Sequence, residues 1–129
     1  TGVVVPAVRH VFLHLGLGAQ VDVRELAGCV GQDAPSICDA LRVGSPGKLN
    51  FDIMRDLAAR GLVVTEEEVR HAMRFAFKNL SLVVEPGGAV GLAAVLAGKV
   101  DTEDRTTAVV LSGGNVDREL FAEIQADST

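Results

Sequence analysis

The chain has 129 residues, 48% of them hydrophobic, and 12 Lys plus Arg against 17 Asp plus Glu give a formal net charge of -5. Positive mean hydropathy, with Val, Leu and Ala spread throughout, excludes a disordered chain and describes one globular domain able to bury roughly two thirds of its unfolded surface. A pI near 5.1, five Phe and neither Trp nor Tyr offer no basic field for phosphates and no aromatic platform for bases, so nucleic acid is not an expected partner.

The run from Gly2 to Leu17 is apolar but short, and Arg9, His10 and His14 interrupt it. It is therefore neither a membrane span nor a signal core, and no membrane association or targeting signal is expected. The chain begins at Thr1 rather than Met, which reads as a processed product or a piece of something longer. Val8, Val11, Phe12 and Leu15 recur at helical spacing and Pro6 suits a first turn, predicting a short helix from Pro6 to Leu17. His10 and His14 share the four-residue spacing of zinc sites, but no third ligand follows, so ordinary helix histidines and no metal are expected. Gly16 to Gly31 has no clean period and reads as loop, with one helical turn at most around Arg24 to Ala27. Cys29 and Cys38 are too few for a disulfide framework or zinc ribbon, and both read as small buried apolar residues in a reducing compartment, the cytoplasm.

After Pro35 the signals sharpen. Ser45-Pro46-Gly47 is turn chemistry that takes in Lys48, Asn50 can cap a helix over 51–60, and Gly61 suits that helix's C-terminus. Leu62 to Val64 reads as a brief strand, and Thr65 with Glu68 three residues on is a capping box for a helix over 66–80. That helix has an apolar stripe of Val69, Met73, Ala76, Phe77 and Leu80, opposite a row of Glu66, Arg70, Arg74 and Lys78 expected to be a solvated face. Leu82 to Val84 is extended, Pro86 forces Glu85 out of the helical region, and Gly88 to Ala97 reads as a helix of small residues. Thr106 to Leu111 is a β-branched run of the kind buried on both faces in parallel sheets, and Asp117 to Gln125 a last helix. Strands alternating with helices argue α/β architecture.

Two segments carry possible chemistry. Ser112-Gly113-Gly114-Asn115 directly follows a predicted strand, where open α/β sheets bind ligands, and its glycines allow close backbone approach; the competing reading is a glycine turn with Ser112 as a cap. Glu85-Pro86-Gly87-Gly88-Ala89 places a carboxylate at the start of a glycine-led helix, where free N–H groups form an anion or cofactor cradle. The alternative there is a helix entry with Glu85 near the positive end of the dipole. Neither a nucleophile elbow nor a P-loop is present.

Ser36-Ile37-Cys38-Asp39-Ala40-Leu41, Pro46-Gly47-Lys48-Leu49, the block from Leu82 to Val90 and the block from Val109 to Asp117 together resemble the C-terminal catalytic-domain portion of pyridoxal-phosphate-dependent serine/threonine dehydratases. The resemblance runs in order from about Ser36 to Phe121, leaving 1–31 unmatched and 32–129 as the C-terminal part of the catalytic domain. It implies the tryptophan-synthase-β-like fold (fold type II), pyridoxal phosphate as cofactor, and loss of water from a small hydroxy amino acid to give a 2-oxo acid and ammonia, by a homo-oligomer. Carried over by position, Ser112 corresponds to the serine that hydrogen-bonds the pyridine nitrogen, Glu85 to the glutamate beside the ring, and Gly113 to the glycine lining the same wall. Ala40 falls where many relatives carry a glycine in the cofactor pocket. The family's Schiff-base lysine motif, Ser-x-Lys-x-Arg-Gly-Ala, and its run of four glycines for the phosphate are absent from this chain, whose three lysines are Lys48, Lys78 and Lys99. The chain alone is therefore expected to have no catalytic lysine and no activity, as a truncated dehydratase or a non-catalytic remnant that serves as an interaction module.

Overall fold

In the computed structural model, which describes residues 2–6, 36–41, 48, 49, 52, 61–104 and 106–127, strand β1 (Gly2–Pro6) pairs antiparallel with β2 (Gly61–Thr65). The register sets Gly2 opposite Thr65 and Pro6 opposite Gly61. Along β2 the burial follows the pleat, with Leu62 and Val64 buried and Thr65 exposed. Pro6 thus ends a strand instead of opening a helix, at a position where a residue without an N–H costs no inner ladder bond. Residues 7–31 lie outside the described set, and with them the rest of that predicted helix, His10, His14 and Cys29.

These strands belong to the first of two compact units, Thr1–Glu66, the second being Glu67–Thr129. The first unit also holds a 3-10 turn at Asp39–Leu41, where the Leu41 N–H donates to the Cys38 carbonyl at 3.0 Å. Cys38 is fully buried, as its sequence reading held. Lys48 is helical rather than in a turn, as are Leu49 and Asp52, and its ammonium pairs with Asp52 one helical turn on at 2.9 Å. Asn50 and residues 45–47 lie outside the described residues.

The second unit is built on helices. Helix α1 (Glu66–Leu80) has the limits its capping pattern predicts, and it buries Val69, Ala72, Met73 and Ala76 along one stripe. Phe77 and Leu80, expected in that stripe, are half exposed. The opposite row is not a solvated face. Arg70 and Arg74 are mostly covered, Arg70 donating to Glu123 at 2.9 Å and Arg74 to Glu67 at 2.8 Å; Lys78 is the member of the row that stays exposed. Phe77 also meets Phe121 edge to face, with ring centroids 5.3 Å apart, so helix α3 (Arg118–Ala126) lies along this side of α1. Asp117 caps α3 by accepting from the Leu120 N–H at 2.9 Å.

Helix α2 (Pro86–Leu96) is the most enclosed element, with eight of its eleven residues buried. Its small side chains allow close approach on every side, which is why it needs no polar face. It opens at Pro86, two residues earlier than expected, because proline suits a first turn. It closes in a Schellman motif: Gly98, at φ 67°, donates to the Val95 carbonyl and Lys99 to the Ala94 carbonyl, both at 3.0 Å. The Lys99 ammonium then reaches Glu68 near the start of α1.

Thr106 to Leu111, predicted as a doubly buried strand, joins no ladder among the described residues. Most of the run is exposed, including Val110. A parallel strand is stable only between neighbouring strands, and none pairs with it among the described residues. Ser112 therefore does not follow a strand paired among the described residues. Among the described residues, no helix is long and apolar enough to cross a membrane.

Candidate functional site

Glu85 is set by its neighbours in sequence. Ser81 ends α1 with a left-handed φ of 56°, and the Leu82 N–H returns to the Ala76 carbonyl at 3.1 Å. Pro86 then holds Glu85 at φ -72° and ψ 158°, the extended geometry that the following ring demands. In this N-cap position the Glu85 carbonyl accepts from the Gly88 and Ala89 N–H groups at 3.0 and 3.1 Å. Its side chain makes no capping bond, so the carboxylate stays available near the positive end of the helix.

The carboxylate lies against the second motif. A Cβ built on Gly113 would come within 2.6 Å of the Glu85 Cγ and closer still to the carboxylate itself, and Gly113 has a φ of 72°. The Glu85 N–H donates to the Gly113 carbonyl at 2.8 Å. One residue earlier, a Cβ on Gly88 would sit 2.7 Å from the Ser112 carbonyl carbon and overlap its oxygen. Gly114 passes the Val83 carbonyl at an ordinary 3.6 Å. The two glycine motifs, 24 residues apart from Gly88 to Ser112 by subtraction of their numbers, therefore meet face to face within the second unit. Ser112 is exposed, while Glu85 is half-buried.

Of the residues predicted for the site, the structure brings Glu85, Ser112 and Gly113 together. Ala40 lies in the 3-10 turn of the first unit, and its assignment rests on the resemblance alone. Sequence reasoning missed the role of Gly88. A glycine pair at 87–88 opposite a glycine pair at 113–114 was the available signal, but nothing in it tells which glycine takes the contact. Cys38 is not a candidate nucleophile: burial pushes its thiol up to about 12, so it is protonated at neutral pH. Lys48 pairs with Asp52, Lys99 with Glu68, and Lys78 is exposed on α1.

Comparison with known proteins places the chain in a family. The model of the pyridoxal-phosphate dependent enzyme family matches residues 14–113, beginning inside the stretch that the motif resemblance leaves uncovered. An L-threonine ammonia-lyase of Thermotoga maritima is 37% identical over 90 residues, 70% of this chain and 22% of that protein. The crystal structure of the T.th. threonine deaminase matches at a TM-score of 0.65 and 36% identity, covering 74% of this chain and 36% of that one. Serine racemase from Dictyostelium discoideum matches at 0.62 and 30%, covering 74% and 32%. The chain spans about a quarter of the length of the curated relatives it matches. The α/β, fold type II expectation holds, and with a family model covering more than half its length, the chain belongs to the pyridoxal-phosphate dependent enzymes.

Proposed function

We propose that this chain is the C-terminal part of the catalytic domain of a pyridoxal-phosphate-dependent dehydratase, an ammonia-lyase acting on threonine or serine. The observation that carries the proposal is the docking of Glu85 on Gly113 beside an exposed Ser112. A shelf of glycine backbone flanked by a carboxylate and a hydroxyl suits the edge of a flat heteroaromatic ring, to which Ser112 offers a neutral hydrogen-bonding partner. The other ends of the cofactor do not fit. No lysine of the chain lies in a motif that would bond its aldehyde, and no glycine run is present to cradle its phosphate. No chemical step is therefore routed through the cofactor in this chain.

The same mismatch favours a second reading, a non-catalytic remnant that keeps the fold fragment and binds a partner. On the first reading the substrate of the intact protein is a small hydroxy amino acid; on both, the proposed location is the cytoplasm, with neither nucleic acid nor membrane as an expected partner. The half-exposed Phe77, Leu80, Leu82, Val83 and Val110 support self-association of the isolated chain. Release of 2-oxobutanoate from L-threonine, or pyruvate from L-serine, with added pyridoxal phosphate tests the proposal. The 129-residue chain is expected to show no turnover, and cofactor-dependent turnover by the pure chain contradicts the assignment of an incomplete site.

A further inference from the structure

We infer that Gly88 and Gly113 form a reciprocal lock, in which Gly88 is a positioning residue for Ser112 and Gly113 is one for Glu85. The idea rests on the proposed function only in calling Ser112 and Glu85 site residues; the lock itself is a property of the fold. Each motif puts a bulky group where the other has no side chain. The Ser112 peptide occupies the place of a Cβ on Gly88, in the first turn of α2, and the Glu85 side chain occupies the place of a Cβ on Gly113. The Glu85 N–H bond to the Gly113 carbonyl, 2.8 Å, lies between these two contacts and ties them.

At Gly88 the obstructing atoms are backbone, which cannot rotate away, so any side chain there must push the 112–114 segment off α2. At Gly113 the obstructing atoms are the end of a side chain, but φ 72° already resists any residue with a Cβ. Replacing Gly88 forces the segment off α2, whereas replacing Gly113 strains its backbone and displaces the Glu85 side chain, and release at one point removes the reason for glycine at the other. The two positions must therefore act as one energetic unit rather than add. The neighbouring Gly114 differs: a Cβ there meets only the Val83 carbonyl at 3.6 Å, an ordinary contact.

Hydrogen exchange at the Glu85 amide of the full chain, resolved by mass spectrometry with fragmentation, reads the lock without any cofactor. Gly88→Ala and Gly113→Ala should each speed that exchange by at least about tenfold, and the double variant should be no faster than the quicker single one. Gly114→Ala should leave it unchanged. Helical protection at Val90 to Ala94 shows in the same spectra whether α2 has kept its fold. Unchanged Glu85 exchange in Gly88→Ala with α2 intact, or additive effects in the double variant, overturns the lock. If α2 is lost in Gly88→Ala, the exposed-loop variant Gly113→Ala decides in the same way. A lock that behaves as expected in a chain whose Ser112 and Glu85 amides ignore added pyridoxine phosphate refutes the functional reading alone.

Discussion

Helix α2 and the run Thr106–Leu111 are similarly apolar in sequence and end in opposite environments. Eight of the eleven α2 residues are buried, whereas most of 106–111 stands in solvent. The difference lies in where each element finds its hydrogen bonds. A helix satisfies its backbone within itself and needs only surfaces to pack on, one of which is the Ser112 peptide against Gly88. A strand satisfies nothing alone; its amides and carbonyls need neighbours that must come from elsewhere in a chain. Apolar pattern therefore states what a segment would bury, not whether its partner is at hand.

The largest test of this contrast is a charge in each region. Ala93→Asp puts an unpaired carboxylate at a position 1% exposed and should cost at least about 3 kcal/mol, read as lost cooperative unfolding of the second unit in a urea titration. Should Ala93→Asp unfold like the parent chain, α2 is not the enclosed element described. Between the two regions in size stands Asp117→Ala, which removes the cap that anchors α3 just beyond the glycine segment. Its expected cost is about 1 kcal/mol, measured in the same titration. The smallest effect on stability belongs to Val110→Lys, within about 0.5 kcal/mol, since that side chain is 45% exposed. Combined with Val83→Lys it should nonetheless lower the sedimentation-derived mass toward 13.5 kDa, because the pair replaces two of the half-exposed apolar side chains proposed to drive self-association. A parent chain already monomeric at micromolar concentration removes the basis for that association.

Local signals were legible in the sequence and non-local ones were not. The limits of α1 follow from Thr65, Glu68 and a 3.6-residue period, all contained in the helix and its first cap. Asp117 marks α3 for the same reason, while α2 begins at Pro86, which the sequence reading takes only as restricting Glu85. The charged row of α1 misled because only the return of α3 decides that Arg70 meets Glu123 rather than water. Pro6 misled because proline serves a strand's last position as well as a helix's first turn. At the site, the two glycine motifs were visible, and their meeting was implied by the family resemblance. The specific exchange between them, Ser112 over Gly88 and Glu85 over Gly113, depends on a backbone approach that residue identities do not encode.

The central claim is that Ser112, Gly113 and Glu85 form the edge of a cofactor site that this chain leaves incomplete. It is tested most directly by titrating the chain, labelled in its backbone amides, with pyridoxine phosphate, an alcohol analogue unable to form Schiff bases with Lys48, Lys78 or Lys99. Saturable resonance shifts centred on Ser112, Gly113 and Glu85, weak because the phosphate has no glycine run to hold it, are the predicted result. Saturable shifts confined to other residues, with these three unmoved, would contradict it.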